Sequence, residues 1–268
     1  MQMYEISRTH ADYLRTIRRH KHIVHISRIL ILLSFLFIWE FTANVGIIDS
    51  FIFSSPSKIV QCFAGMAADQ SIFLHIGVTI YETLLSFLLV IAISILMAVL
   101  LWFSPKLSEI ADPYLVVLNS LPKSALAPLL IVLLGANKTT IIVAGMSVAI
   151  FGSILNLYTS FHTVDAGKLM LVYTLGGSRF HALYKVVLPC SLPAIISNMK
   201  VNIGLCLVGV IIGEFLAARS GLGYLIIYSS QVFKLDWLLM SICILCIIAV
   251  LLYAIINLIE KWYLKKTG

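Results

Sequence analysis

Four ionisable residues stand nearly alone among apolar neighbours: Glu40 beside Trp39, Lys123 in "LNSLPKSALAP", Lys200, and Glu214 in "IIGEFLAARSGLG". A charge facing lipid costs several kcal/mol, so each must face a cavity, a partner group or the headgroups. Lys123 has Asn119, Ser120 and Ser124 for company and lies between Pro122 and Pro128. Two prolines free backbone carbonyls, which a membrane tolerates only against protein or a water-filled path. This cluster therefore reads as the lining of a polar pathway. Pairing with Glu214 or Glu40, or snorkelling toward the headgroups, is the competing assignment. Lys200, two turns into its apolar stretch, either lines the same path or snorkels, and Asn202 adds a hydrogen-bond donor. Glu214, followed by Gly221 and Gly223, reads as the anchor of a loop, and Glu40 as structural.

Other chemistries lack their residues. A nucleotide-phosphate loop needs glycines ahead of a Gly-Lys-Ser/Thr run, but the only Gly-Lys pair, Gly167-Lys168, is followed by Leu169 and lacks the upstream glycine. Cys243 and Cys246 have Cys-x-x-Cys spacing without a second pair or nearby histidine, which reads as lipid-buried thiols. The seven histidines fall mostly in the N-terminal segment and the loops, not in a convergent acid–base cluster. No catalytic residue, metal ligand or cofactor-binding residue is expected in this chain. A secondary transporter or channel would show repeats or paired broken helices with ion sites, and no repeat is visible.

The elements that position these residues follow from composition. The 268 residues are 60% hydrophobic and only 12% charged, with a mean hydropathy of +1.02; soluble domains carry about 25% charged residues. Stretches of about 18 or more apolar residues suffice to span a bilayer. Six are expected: 29–49, 83–105, 113–137, 139–164, 192–213 and 237–259. The result is an all-α, polytopic membrane protein: a basic segment 1–28, a six-helix domain 29–262 with a loop at 165–190, and a tail 263–268. The first apolar run is too long for a secretory signal and no cleavage pattern follows, so it reads as a retained span.

The net charge of +7 is a topology signal, not an invitation to nucleic acid. Arg8, Arg15, Arg18, Arg19, Lys21, Arg28, Lys106, Lys168, Arg179, Lys185, Lys261, Lys265 and Lys266 fall on one side, against Lys58, Lys138, Arg219 and Lys234 on the other. Retention of Lys and Arg on the cytoplasmic side puts both termini inside. Of the outer segments, "SSPSKIVQCFAGM" has helical apolar spacing, while the apolar patch after Gly223 is too short to cross.

The loop 165–190 reads as a helix pair. Asp165 can cap a helix over 166–175, Gly176 can supply its left-handed stop, and Ser178 can cap a second helix from Arg179 to Val187. In that second helix Phe180, Leu183 and Val187 recur at helical spacing. Pro189 is expected to end it, with Ser191 and Pro193 restarting the next span. Such a pair suits a headgroup surface or a partner protein equally.

A resemblance separates the two. Gly176, nine residues, then Val186-Val187-Leu188-Pro189 resembles the "EAA…G…IxLP" loop of permease subunits of bacterial ATP-binding-cassette importers. The likeness extends through Thr174, Leu175, Gly176, Ser178, Val187, Leu188, Pro189, Leu192 and Pro193. "FSSPSKIV", "LPKSALAPLLIVLLG" and "IIGEFLAARSGLGYLI" resemble the nitrate/sulfonate/taurine branch. The resemblance implies a type I importer permease, with Thr174, Leu175, Gly176, Gly177, Ser178, Arg179, Phe180, Leu183 and Pro189 forming the ATPase-coupling element. It further implies two ATPase subunits carrying ATP and Mg, a second permease copy or close paralogue, and an extracytoplasmic solute-binding protein. Solutes of the branch are small: nitrate, sulfonates, taurine, bicarbonate or pyrimidine-type vitamin precursors. Two departures stand out. Met170-Leu171-Val172 replaces the usual Glu-Ala-Ala, and Glu82 stands where an Arg is common.

Overall fold

The computed structural model describes residues 8–267; residues 1–7 of the basic N-terminal segment and Gly268 of the tail lie outside the described residues. Among the described residues every regular element is helical. The order is α1 (Arg8–Asn44), α2 (Ser50–Phe53), α3 (Pro56–Ala68), α4 (Ser71–Phe103), α5 (Pro105–Ser120), α6 (Lys123–Leu134) and α7 (Lys138–His162). It continues with α8 (Ala166–Thr174), α9 (Arg179–Ala182), a π-helical turn (Leu183–Val187), α10 (Leu188–Ala217), α11 (Leu222–Gln231) and α12 (Leu235–Thr267).

The chain divides into two compact units, 1–62 and 63–268. Within the first, Glu40 near the end of α1 accepts hydrogen bonds from Ser57 N at 3.0 Å and Ser57 Oγ at 2.8 Å. That carboxylate occupies the first turn of α3, where free backbone amides favour a negative charge. Its role is to fix one helix end to another.

In the second unit, α7 packs between α4 and α10. Small residues permit the approach, since a membrane interior offers no hydrophobic drive between helices and close packing must substitute. A Cβ on Gly209 of α10 would stand 2.8 Å from Ala144 O and from Gly145 Cα of α7. Toward α8, a buried apolar cluster of Ala98, Leu157, Phe161, Leu183, Val187 and Ile195 joins α4, α7 and α10.

Among the described residues, five helices are long and apolar enough to cross a membrane, or six if α5 and α6 count as one span. The expected continuous span 113–137 is corrected here: α5 and α6 meet at 96°. Leu121 is extended at φ −62°, ψ 140°, the conformation imposed on a residue that precedes proline. The break therefore falls at Leu121-Pro122.

A second correction concerns Pro189. It does not end a helix; Arg179–Ala217 runs on as one span. The preceding π turn is the reason. Leu188 N donates to Leu183 O, five residues back, so the register shifts where Pro189 has no amide hydrogen to give.

Candidate functional site

The chemistry-bearing residues gather at three places. At one end of the second unit, Glu214 of α10 is buried, with 1% exposure. It accepts hydrogen bonds from Thr79 Oγ1 of α4 at 2.7 Å and from Gly223 N at 2.6 Å. Thr79 Oγ1 in turn accepts from Leu222 N at 2.8 Å. His75 Nδ1 accepts from Gly221 N at 3.0 Å. The first backbone amides of α11 are thus taken up by α4 and α10. Gly221 has φ +119°, and a Cβ on it would stand 2.4 Å from the Glu214 carboxyl carbon. Glu214, Gly221 and Gly223 act together to hold α11, and only glycine lets the carboxylate approach so closely.

The second place is the α5–α6 break. Lys123 Nζ donates to Leu118 O at 2.5 Å and Asn119 O at 2.9 Å, carbonyls left free where α5 stops. It also lies 5.4 Å from the Phe151 ring centroid. A cation at a helix C-terminus is favoured by the macrodipole, so the ammonium closes the break made by Pro122. Ser120 Oγ bonds Val116 O at 2.9 Å, and Asn119 Oδ1 is 3.2 Å from where a Cβ on Gly152 would sit. Asn119, Ser120 and Ser124 are exposed and Lys123 is half-buried. The four form one polar corner.

Lys200 and Asn202 lie elsewhere. Lys200 of α10 forms an ion pair with Glu260 and donates to Asn257 Oδ1 at 3.1 Å, both on α12. Asn202, 1% exposed, donates to Ser153 Oγ of α7 at 2.8 Å, and Asn198 shares that acceptor at 2.7 Å. One residue ties α10 to α12, the other α10 to α7.

The third place is the 165–190 loop. Asp165 Oδ1 accepts from Gly167 N at 2.8 Å and starts α8. At its other end Gly176 N donates to Tyr173 O at 3.0 Å and Gly177 N to Val172 O at 2.9 Å, a Schellman pair. Gly176 takes φ +79°, and a Cβ on Gly177 would stand 2.7 Å from Val172 O. Thr174 Oγ1 bonds Leu171 O at 2.9 Å. Ser178 begins α9 in a capping box closed by His181 in place of the usual Glu or Gln. Arg179 Nη1 donates to Phe103 O at 2.9 Å, capping α4. Leu183 is buried at 5% exposure and packs with Leu157 and Phe161 of α7, which holds the loop to the bundle. The outward set is Met170, Leu171, Tyr173, Leu175 and Phe180, 43–79% exposed. Pro189 is exposed on the continuous helix.

A family of binding-protein-dependent transport system inner membrane components matches residues 90–267. The chain belongs to this family. A probable ABC transporter permease protein of Haemophilus influenzae is 30% identical over 231 residues, 86% of this chain and 92% of its own length. A putative aliphatic sulfonates transport permease of Bacillus subtilis is 26% identical, covering 85% and 83%, and the taurine transport system permease of Escherichia coli 23%, covering 80% of each. A solved structure, "Inward facing conformations of the MetNI methionine ABC transporter", overlays with a TM-score of 0.58 at 15% identity, over 72% of this chain and 94% of that one. The fold is that of a type I importer permease.

Several residues that fix this permease's geometry escaped the sequence reading: His75, Thr79, Ser153, Asn198, Asn257 and Glu260. A signal existed for the first two. His75, Thr79, Glu82 and Ser86 recur at four, three and four residues through an apolar span, a polar stripe down one helix face.

Proposed function

We propose that this permease, paired with a second copy or a close paralogue, forms the solute pathway of an ATP-driven importer. ATP and Mg bind and react on two separate cytoplasmic ATPase subunits that dock against α8 and α9. A solute-binding protein delivers solute at the opposite end, on the α2–α3 segment and the loop after Glu214. Both termini are cytoplasmic in this reading, supported by the clustering of Lys and Arg on the side of the α8–α9 loop. The polar corner Asn119, Ser120, Lys123 and Ser124 lines the pathway. Its lysine favours a small anionic solute, in keeping with relatives named for sulfonate and taurine transport.

One observation carries the reading. The α8–α9 loop sets five exposed apolar side chains on a turn locked by caps at both helices. Fixed geometry on an apolar projection suits a protein groove better than a headgroup layer, which attracts basic residues in many poses. The test is accessibility in intact cells, with native cysteines removed. A cysteine at Leu175 should resist a membrane-impermeant thiol reagent and cross-link to the ATPase, and one at Ser220 should label. Labelling of position 175 from outside would overturn both the orientation and the ATPase assignment.

A further inference from the structure

Glu82 follows Thr79 by three residues on the same face of α4. It is 1% exposed, as is Glu214, and the two carboxyl groups are hydrogen-bonded to each other. Ionised carboxylates carry acceptors only, so this contact contains a proton. The neighbouring donors decide which group carries it. Glu214 Oε1 accepts from Thr79 Oγ1 at 2.7 Å and its Oε2 from Gly223 N at 2.6 Å, and Tyr224 N also donates to it. Three donors converge on Glu214, as on an ionised group, and Glu82 is left to supply the hydrogen between the two. The other charges nearby are cations. Lys138 at the start of α7 and Arg219 after α10 line, with Glu82, a cavity of about 190 Å³. Both are exposed, so water weakens their pull on Glu82. His75 Nδ1 is taken up by Gly221 N, and the Tyr224 ring stacks on that imidazole at 6.2 Å.

We propose that Glu82 and Glu214 form a binding site for one proton, and that this proton clasps α11 to α4 and α10. With it in place, Glu82 donates to Glu214, and Glu214 keeps the donors from Thr79 and Gly223. Its removal leaves two buried carboxylates in contact, and like charges at that distance repel strongly. Glu214 then draws away from Glu82, and the amide of Gly223 and the hydroxyl of Thr79 lose their acceptor. Thr79 Oγ1 in turn holds Leu222 N, so the first turn of α11 is released. The clasp is closed at neutral pH and opens as pH rises. The sign follows from proton counting: the folded permease binds a proton that a solvated glutamate has already lost at neutral pH, so stability falls where rising pH strips the pair. An arginine, common at position 82 in the permeases this chain resembles, would hold Glu214 by a charge that never leaves. Glu82 substitutes a hydrogen that alkali removes. The proposal does not depend on the importer reading, because its readouts are structural.

The experiment uses the full-length permease in lipid nanodiscs, from neutral to alkaline pH. Infrared spectra of the wild type minus Glu82→Gln should show, at neutral pH, the carbonyl stretch of a protonated carboxylic acid, which carboxylates lack, and the band should vanish in alkali. Hydrogen exchange at the Leu222 and Gly223 amides reports the clasp. Glu82→Gln is the reference at each pH, because its side-chain amide donates to Glu214 whatever the pH, and comparison at equal pH cancels the intrinsic base catalysis of exchange. The two proteins should exchange alike at neutral pH. In alkali the wild type should exchange about tenfold or more faster, the equivalent of one charge-assisted hydrogen bond. If Glu82→Gln fails to fold, Lys138→Met, at an exposed position, takes its place. Removing that cation should carry both the loss of the acid band and the rise in exchange to more alkaline pH. A wild type without the acid band, exchange that tracks Glu82→Gln at every pH, or an opening that Lys138→Met does not displace would overturn the proposal.

Discussion

Replacing Gly176 with valine isolates a backbone effect. Nothing lies within 4 Å of a Cβ built at Gly176, so the side chain meets no steric obstacle from its neighbours. The cost comes from φ +79°, a region that a β-branched residue occupies at about 1–3 kcal/mol. At 1.4 kcal/mol per decade, the native turn becomes roughly 5- to 150-fold less populated. What moves follows from the anchoring. The segment after Gly176 is held by buried Leu183 and Val187 and by Arg179 on Phe103 O, whereas α8 has no buried residue. The valine should therefore displace α8 with Met170, Leu171 and Tyr173, leaving the bundle intact. The assay is co-purification of the ATPase with the permease and ATP-driven uptake in proteoliposomes, with thermal unfolding as the control. Uptake should fall by at least about fivefold while the unfolding temperature stays within a degree or two. Gly176→Asn should recover much of the loss, because asparagine tolerates the left-handed region. Gly204→Ala, in open space within α10, should be neutral or slightly stabilising. Normal uptake by Gly176→Val, or a loss that asparagine does not restore, would refute the reasoning.

Other outcomes follow from the polar contacts. Lys123→Met should leave the carbonyls of Leu118 and Asn119 without their charged donor, at about 1–3 kcal/mol; uptake should drop while basal ATP hydrolysis by the assembled complex persists. Ser153→Ala removes the acceptor shared by Asn198 and Asn202. It should lower detergent-phase stability by about 1–3 kcal/mol in thermal unfolding, without changing ATPase retention. For Lys200 and Glu260, a double-mutant cycle with Lys200→Met and Glu260→Gln should return a coupling energy of about 0.5–3 kcal/mol, and the double variant should unfold later than the worse single one.

The helices were legible where a single local rule decides. Apolar length marked the spans, and Asp165, Gly176 and Ser178 marked the limits of α8 and α9 because caps and left-handed stops are properties of one or two residues. Two prolines misled for opposite reasons. Pro122 breaks its helix sharply at the extended Leu121, whereas at Pro189 a π turn absorbs the missing hydrogen bond and the helix continues. That choice depends on buried Leu183 and Val187 packing against α4 and α7, contacts with residues some 80 and 30 positions back in the chain. The same distance hid the partners of Lys200 and Asn202. A lone lysine in a span announces that it needs a partner, but Glu260, sixty residues away, is found only once α10 and α12 are seen side by side. Glu214 was readable as an anchor because its glycines follow within nine residues.

The continuity of Arg179–Ala217 makes these 39 residues a single rod, roughly 58 Å long at ~1.5 Å per residue. The cap on α4 made by Arg179 and the carboxylate that holds α11 are its two tips. It rests on α7 through Gly209, thirty residues from Arg179 and five from Glu214, where backbones touch without intervening side chains, and a contact that smooth is a fulcrum. About that fulcrum, a tilt of about five degrees swings the α9 tip by roughly 4 Å and the Glu214 tip by less than about 1 Å the opposite way. A helix pivoting in this way converts a large movement at α9 into a small one at Glu214 without any relay of side chains. That requires the rod to stay stiff, and its two irregular points, the π turn at Leu183–Val187 and Pro193 inside α10, both lie on the α9 side of Gly209.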